Sequence, residues 1–345
     1  MNLINTQYSF MAAYLKGEES RSVTSEQIGE VLQRSATMQD ALEIIGETDI
    51  GLYLIDQPIP TFDDADEYLW RYLGECLRRF EGFRTPPEMS RIAGLYIERH
   101  DVMNIRIALR MLLKRVPSAL VPLGAIHSTG LLPELAAVRE KEDISSILTQ
   151  CSLGEYVRTV EEINEKETQS VTEGEATLQN LYYQRVLEAF EGMGDGHLLE
   201  KAIRTDIDME NLRTVFRVSL AGGQAAGMPI LRGGRMLSEG IVQELLTLKI
   251  GEITGRLENT GYHLLAQDIS KGFEKDGVIT MIDRILERYR FRMLYDLLSP
   301  RILSTVNMLW YLEIKELEVR NLRLTFKMLA DGIPPTEIKE LVIAA

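Results

Sequence analysis

The fold is decided by the stretch Asp101–Val–Met–Asn104–Ile–Arg106–Ile–Ala–Leu–Arg110, because its pattern returns twice later in the chain. The pattern is an acidic residue, two variable positions, Asn, Ile or Leu, Arg, three variable positions, and Arg or Lys. The other two copies are Asp208–Met–Glu–Asn211–Leu–Arg213–Thr–Val–Phe–Arg217 and Glu318–Val–Arg–Asn321–Leu–Arg323–Leu–Thr–Phe–Lys327. The asparagines lie 107 and then 110 residues apart. This regularity predicts one unit of about a hundred residues used three times.

Each copy of the motif has the spacing of an amphipathic helix. Counted from the Asn, apolar residues occupy positions −2, +1 and +5 in every copy: Val102, Ile105 and Leu109; Met209, Leu212 and Phe216; Val319, Leu322 and Phe326. This spacing predicts a buried stripe, with the two basic residues of each copy sharing a face beside it. The acidic residue is predicted to lie in the first turn of its helix, where a carboxylate caps free N–H groups.

Two further landmarks extend the motif into a repeat. A small polar residue or Pro followed by Glu precedes each motif at Ser25–Glu26, Pro133–Glu134 and Ser238–Glu239, and a long amphipathic helix is predicted about thirty residues before each Asn. The order in each repeat is then short helices, long helix and motif helix. We place repeat 1 at residues 1–115, repeat 2 at 116–222 and repeat 3 at 223–345. The last of these includes the beginning of a fourth copy at Thr336–Leu341.

Signals for β-strands are scarce. No stretch alternates apolar and polar residues over a strand's length, and the pairs Asp195–Gly196, Asp276–Gly277 and Asp331–Gly332 lack alternating flanks. We interpret these pairs as turns between helices. The sequence predicts an all-α protein with three pseudo-symmetric helical repeats.

Composition limits the classes of function. With a net charge of −14, an extended nucleic-acid interface is not expected, since binding phosphates needs clustered Lys and Arg. The two cysteines, Cys76 and Cys151, indicate a reducing compartment, and Cys76 is predicted to be buried. Residues 1–16 lack the basic and apolar regions of a secretory signal, and no apolar stretch is long enough to span a bilayer. We therefore expect a soluble protein.

One acidic cluster is a candidate metal site. Asp63, Asp64 and Asp66 resemble the aspartate-rich Mg²⁺–diphosphate motif of all-α isoprenoid synthases, but no second acidic cluster is found to face them. The cluster also follows Pro58 and Pro60, at the start of a predicted helix, where carboxylates cap N–H groups. Capping is our main interpretation, and an all-α Mg²⁺-dependent enzyme is the alternative.

Other candidate sites are weaker still. The glycine-rich segments Gly222–Gly227 and Gly233–Gly234 match no phosphate-binding loop and are predicted to end the second motif helix and lead into repeat 3. The four histidines are far apart, and no nucleophile motif occurs. We expect no catalytic residue, cofactor or metal. Threefold recurrence favours a structural role for the motif, through hydrogen bonds and ion pairs to neighbouring helices, with partner contact as the alternative.

The three motifs resemble those of the C-type subunit family of archaeal and bacterial A/V-type ATPases, whose eukaryotic counterpart is the d-type subunit of the vacuolar proton pump. The segments Tyr8–Ser–Phe–Met–Ala–Ala–Tyr14, Ser25–Glu26–Gln–Ile and Ala41–Leu42–Glu43 extend the resemblance to the start of the chain. The resemblance implies a funnel of three helical repeats, present once per complex on the cytoplasmic face of the membrane. It also implies a non-catalytic role in ATP synthesis or ion transport, with the central-stalk subunits (D and F type) and the membrane rotor ring as partners. A helical-repeat scaffold unrelated to any ATPase is a further alternative.

Overall fold

The computed structural model describes residues 8–83, 85–114, 117–163, 168–222, 225, 227–276 and 280–343. Within these ranges the regular structure consists of α-helices and short 3-10 turns, and no strand is present. The all-α prediction is confirmed. Gly223 and Gly277, which belong to two of the predicted turn segments, lie outside the described residues.

The helices alternate between short and long. They are, in chain order, α1 Ser9–Glu19, α2 Ser25–Arg34, α3 Met38–Ile45, α4 Asp49–Ile55, α5 Phe62–Arg78, α6 Pro87–Lys114, α7 Ala125–Ser128, α8 Leu132–Ala136, α9 Lys141–Gln150, α10 Val157–Glu162, α11 Thr168–Phe190, α12 Gly196–Leu220, α13 Glu239–Leu245, α14 Ile250–Arg256, α15 His263–Asp276, α16 Thr280–Leu298, α17 Val306–Ala330 and α18 Pro335–Leu341. Short 3-10 turns lie at Arg79–Gly82 and Gly154–Tyr156.

Threonine residues cap the N-termini of α2, α3 and α5. Thr24, Thr37 and Thr61 each form a capping box, in which the hydroxyl accepts the N–H of the residue three positions on and that residue's side chain accepts the threonine's own N–H. In α5 the reciprocal partner is Asp64. The interpretation of this aspartate as a helix cap is therefore confirmed.

The motif helices are the three long ones that follow a long partner helix. The order is α5 then α6, α11 then α12, and α16 then α17, each pair preceded by shorter helices as predicted. The stripe at −2, +1 and +5 is buried in all three copies. The predicted place of the acidic residue is wrong: Asp101, Asp208 and Glu318 lie in the middle of α6, α12 and α17, far from the first turn. The helix begins well before the motif because the preceding residues are also compatible with helix and supply further buried contacts.

The chain divides into two compact units by packing. One, the terminal unit, consists of Met1–Ile97 with Leu298–Ala345, and the other, the central unit, is Glu98–Leu297. These units are defined by packing, whereas the repeats are defined by sequence similarity, so the threefold division stays a prediction.

In the terminal unit, α17 is the central element. It packs against α1, α3, α5 and α18. Its buried side chains include Trp310, Tyr311 and Phe326, and α5 contributes Tyr72 and Cys76 to the same unit. The prediction that Cys76 is buried is confirmed. Burial of these large aromatic side chains removes apolar surface from water and so stabilises the packing of the helices.

In the central unit, α11 packs on α12, and α12 also contacts α13 and α14. An apolar core extends from Met209 to Leu286 and includes the stripe residues of α12. Asp195 lies between α11 and α12 with a left-handed backbone, so the Asp195–Gly196 turn is confirmed. Among the described residues no helix combines the length and the apolar character that crossing a bilayer requires.

Candidate functional site

Each motif asparagine holds the backbone of a distant residue at two points. The side-chain amide of Asn104 donates to the carbonyl of Val121 (2.9 Å) and accepts its N–H (2.7 Å). Asn211 does the same with Leu231 (2.8 and 2.9 Å), and Asn321 with Ile343 (2.8 and 3.2 Å). All three asparagines are buried. Because a primary amide offers a donor and an acceptor side by side, it pairs with a peptide as a neighbouring strand would.

The segment that binds Asn211 also forms hydrogen bonds with a second asparagine. The amide of Asn180, on α11, donates to the carbonyl of Ile230 (3.1 Å) and accepts the N–H of Arg232 (2.8 Å). Residues 230–232 thus have backbone groups satisfied by side chains of two helices. An extended segment outside any sheet needs such partners, because its buried polar groups would otherwise be unpaired.

The acidic residue of the motif accepts backbone N–H groups at the start of a later helix or shortly before it. Asp101 accepts the N–H groups of Ala125 (2.8 Å) and Ile126 (2.9 Å), at the beginning of α7. Asp208 accepts those of Arg235 (3.1 Å) and Met236 (2.8 Å), just before α13. Capping is therefore confirmed for Asp101, but at α7 and not at the first turn of its own helix, whereas Asp208 binds N–H groups that precede the N-cap of α13, Ser238. The residues that Asp101 contacts, Ala125 and Ile126, come before the predicted landmark Pro133–Glu134 in the chain.

A glycine lies directly against each of these two aspartates. A Cβ atom on Gly124 would be 2.3 Å from Asp101 Oδ1, and one on Gly234 would be 2.0 Å from Asp208 Oδ1. Gly124 also has φ +99°, a conformation that favours glycine. The carboxylate reaches the N–H groups because these positions carry no side chain.

In the third copy the motif carboxylate also accepts a backbone N–H group, but among the described residues no glycine lies against it. Glu318, one methylene longer than Asp, accepts the N–H of Val23 (2.7 Å) near the start of α2. The preceding residue is Ser22 instead of glycine, and its hydroxyl accepts a hydrogen bond from Lys315 Nζ (2.8 Å), which also contacts Glu318 (2.9 Å). Lys315 is fully buried, so this carboxylate has a charged partner that the aspartates lack.

Burial raises the pKa of all three motif carboxyls. For Asp101 burial raises the pKa to about 6, against the two backbone N–H groups, which lower it. Burial likewise raises the pKa of Asp208 and of Glu318, and Lys315 opposes the effect at Glu318. The shared direction follows from desolvation of the charged form.

The basic residues of each motif pair with a carboxylate near the start of another repeat's long helix. Arg110 of repeat 1 pairs with Glu175 on α11, Arg213 of repeat 2 with Asp283 on α16, and Arg323 of repeat 3 with Asp66 on α5. These carboxylates precede the asparagine of their own repeat by 36, 38 and 38 residues, so they occupy corresponding positions. They were not predicted as a set, although this shared spacing is visible in the sequence.

The two oxygens of this carboxylate bind the basic residues of the motif differently in the three copies. Asp283 gives one oxygen to Arg213 (3.0 Å) and the other to Arg217 (2.5 Å). Asp66 contacts Arg323 through both oxygens, while Lys327 pairs with Asp331 (2.8 Å). Glu175 gives both oxygens to Arg110 (2.7 and 2.6 Å). The Nε of Arg106 has no hydrogen-bond partner among the described residues.

With the repeat boundaries predicted from the sequence, the contacts follow one cyclic order. Motif 1 holds the start and the long helix of repeat 2, motif 2 holds those of repeat 3, and motif 3 holds those of repeat 1. The carbonyl and N–H bound by the asparagine follow the same rule in the first two copies. In the third copy that segment is Ile343, close to the end of the chain.

The aspartate cluster of α5 is already occupied by protein contacts. Asp64 caps the helix and Asp66 pairs with Arg323, whose guanidinium also stacks 4.2 Å from the centre of the Trp70 ring. Among the described residues no group of three His, Cys, Asp or Glu side chains is placed to hold a metal ion. Asp64 and Asp66 thus fit capping and ion pairing, and Asp63 lies in the first turn of α5, where a carboxylate interacts favourably with the helix dipole.

Comparison with known proteins gives a single picture. The sequence model of the ATP synthase (C/AC39) subunit family matches residues 11–341. The chain is 26% identical to the C-type subunit of the A-type ATP synthase of Thermococcus gammatolerans, over 98% of this chain and 90% of that protein. It is 27% identical to the corresponding protein of Pyrococcus horikoshii, with the same coverage, and 22% identical to that of Methanocaldococcus jannaschii, over 98% of this chain and 86% of that protein.

Proposed function

Because the chain belongs to the ATP synthase (C/AC39) subunit family, we propose that it is a non-catalytic subunit of a rotary ATP synthase or ATPase. The observation that carries this proposal is the match over residues 11–341, which is nearly the whole chain. The relatives, each named as the C-type subunit of an A-type ATP synthase, extend over 98% of the chain.

We further propose that the subunit links the central stalk to the membrane rotor ring. Its partners would be the D- and F-type stalk subunits on one side and the ring subunits on the other, with one copy per complex. It would be peripheral, at the cytoplasmic face of the membrane. The three repeats, arranged about an axis as a funnel, would hold the end of a rod-like stalk. This is supported by the cyclic order of the motif contacts.

In this role the twelve motif residues are structural. We propose that Asp101, Asn104, Arg106 and Arg110, with their counterparts in the other two copies, join successive repeats so that torque passes through the protein without separating them. Paired amides and ion pairs suit this task, because their geometry is directional. The boundaries at 1–115, 116–222 and 223–345 would then mark the joined parts.

The overall charge of −14 supports a basic partner surface. Complementary charges increase the rate of association and specify orientation, and their effect is reduced by salt. We therefore expect binding to the stalk subunits to weaken as ionic strength rises.

Reconstitution tests the proposal. Complexes assembled with and without this chain are placed in vesicles, and ATP hydrolysis and ATP-driven ion pumping are measured together. We expect the complex without the chain to hydrolyse ATP but not to pump, and pumping to return when the full chain is added. Full pumping in its absence would refute the linking role.

The isolated chain provides a second test. We expect it to hydrolyse neither ATP nor a diphosphate ester in the presence of Mg²⁺, and Asp63→Asn to leave its properties unchanged. Turnover of either substrate, lost in Asp63→Asn, would favour the Mg²⁺-dependent enzyme.

A further inference from the structure

A cavity of about 220 Å³ lies in the central unit between α6, α11, α12 and the segment 228–231. Its charged lining consists of four arginines and two glutamates: Arg106, Arg110, Arg213, Arg217, Glu175 and Glu210. The lining therefore carries two more positive than negative charges, although the whole chain is strongly acidic. Such a local reversal of charge attracts anions.

The two glutamates are bound to other groups of the lining. Glu175 is held by Arg110 through both oxygens, and Glu210 pairs with Arg213. Arg217 pairs with Asp283. One cation of the lining, Arg106, thus has no carboxylate partner within the described part of the chain.

Arg106 is also partly withdrawn from water. Its Nε is sealed from solvent and lacks a hydrogen-bond partner among the described residues. Burial lowers the pKa of its guanidinium and Arg110 acts in the same direction, while Glu175 and Glu210, which form no salt bridge with Arg106, oppose the shift through longer-range attraction. A largely buried cation without a salt-bridge partner is costly, and proteins seldom keep one without use for it.

The other two copies of the motif have a salt bridge that Arg106 lacks within the described residues. The residues at the same motif position, Arg213 and Arg323, each contact a carboxylate on the neighbouring long helix. In the first copy the corresponding carboxylate, Glu175, forms its salt bridge with Arg110 through both oxygens. The position at which Arg106 would find its counter-ion is the cavity itself.

We propose that this cavity binds a small oxyanion of the phosphate class, with Arg106 as its main ligand. The two Nη groups of a guanidinium present parallel N–H groups that match two oxygens of a phosphate, so binding does not require access to the sealed Nε. The volume suits a phosphate or diphosphate group and falls below that of ordinary pockets for larger ligands. This proposal is independent of the role in an ATP synthase, and for Arg106 it replaces the structural role proposed above for the motif residues.

The test measures the unfolding temperature of the full chain in phosphate and in diphosphate, against chloride at equal ionic strength. A ligand that binds only the folded state raises this temperature, by about 5 °C at a hundredfold excess over Kd. We expect such a rise for the unchanged protein and at least a tenfold weaker binding for Arg106→Gln.

The matched control is Arg323→Gln, at the same motif position but paired with Asp66. We expect Arg323→Gln to lower the unfolding temperature in chloride and to keep the phosphate-dependent rise. Arg106→Gln should not lower the unfolding temperature in chloride, because it removes an unpaired charge. Arg106→Lys, which keeps the charge but not the paired N–H groups, should bind phosphate with intermediate affinity.

The source of the anion is distinguished by comparing inorganic phosphate with glycerol 3-phosphate. A rise with phosphate alone identifies a site for the free ion, and a rise with both identifies a site for a phosphate ester. The proposal is overturned if phosphate stabilises Arg106→Gln as much as the unchanged protein. It is equally overturned if Arg106→Gln destabilises the chain in chloride as Arg323→Gln does, because Arg106 would then be an ordinary ion-pair residue.

Discussion

At the scale of single residues, the motif asparagines each satisfy a buried N–H and a buried carbonyl at once. Asn211→Ala would leave both groups of Leu231 unpaired. Since each buried unsatisfied group costs about 1–3 kcal/mol, we expect the free energy of unfolding to fall by about 2–4 kcal/mol. Urea unfolding followed by circular dichroism measures it. Asn259→Ala, at an exposed position, should change it by less than about 0.5 kcal/mol. Equal effects of the two substitutions would contradict the role of the amide.

Gly124 is required both by its backbone conformation and by its contact with a carboxylate. Gly124 and Gly130 both have positive φ, but only Gly124 lies against another side chain, the carboxylate of Asp101. Gly130→Ala should cost about 1 kcal/mol from backbone strain, and Gly124→Ala should cost clearly more, because the carboxylate must also move. Thermal unfolding of the two variants compares them. A Gly124→Ala variant no less stable than Gly130→Ala would show that the contact with Asp101 has little weight.

The pH dependence of stability reports on Asp101. Its folded-state pKa of about 6 lies above its ordinary value of 3.8, so the folded protein holds this proton more tightly than the unfolded chain. Its contribution is therefore fully present below about pH 4 and is lost as the pH rises through about 6, by at most about 3 kcal/mol. The difference in unfolding free energy between the unchanged protein and Asp101→Asn should decrease over this interval.

Asp40 provides the control for this titration. It is an exposed capping residue whose pKa is lowered by the backbone N–H groups of Ala36 and Thr37. Its contribution has the opposite sign, being present above about pH 4 and lost in stronger acid. The difference curve for Asp40→Asn should be flat where that for Asp101→Asn falls. If the Asp101→Asn curve is also flat, the carboxyl titrates normally.

At the scale of elements, the ion pairs join a motif helix to a long helix. Arg213 and Arg217 share Asp283 of α16, but the side chain of Arg213 is 23% exposed and that of Arg217 is 50% exposed. Arg213→Ala should lower the unfolding free energy by about 2–3 kcal/mol, because it leaves Glu210 and Asp283 without this partner. Arg217→Ala should cost less than about 1 kcal/mol, since solvent screens the exposed pair.

Thermal melting together with a binding assay for the stalk subunits separates the structural role from a partner contact. An unchanged melting temperature with loss of binding in Arg213→Ala would assign the arginine to the interface. The first copy differs at this scale because Arg110, one helical turn beyond Arg106, takes the whole carboxylate. In this copy the ion pair to the long helix is made by the second arginine of the motif instead of the first. The two helices stay in contact, and within the described residues the arginine without a salt bridge is Arg106.

At the scale of the whole molecule, the two compact units differ in how the chain forms them. The central unit is continuous, whereas the terminal unit needs both ends, with α17 supplying Trp310, Tyr311 and Phe326 to its core. We expect a fragment of residues 87–298, which keeps α6 and α16 whole, to unfold cooperatively on its own. A fragment of residues 1–97 should lack cooperative unfolding unless residues 299–345 are co-expressed with it.

Circular dichroism and thermal unfolding of the fragments measure this difference. Cooperative unfolding of residues 1–97 alone would mean that α17 is dispensable for the core. Failure of residues 87–298 alone would mean that the central unit depends on the chain ends.

The helical class, the buried stripe of each motif helix and the recurrence of the motif could be predicted from the sequence. These properties are local or periodic, so they depend on residue spacing along one helix. The capping role of Asp64 is of the same kind, since Thr61 and Asp64 are three positions apart. The expectation for Asp101 failed at this point: capping was the correct chemistry, but spacing along its own helix could not identify Ala125 and Ile126 as the groups it caps.

The partners of these side chains, by contrast, depend on how the helices pack in the folded chain. Glu318 meets Val23, and Arg323 meets Asp66, across more than 250 residues of sequence. Whether a charged side chain finds a counter-ion depends on which helices pack together and on how neighbouring cations divide one carboxylate. Arg106 and Arg213 have the same motif position and the same predicted environment, yet Arg213 has a carboxylate partner and Arg106 has none among the described residues. The reason is that Arg110 takes both oxygens of Glu175, and this competition exists only in the folded chain.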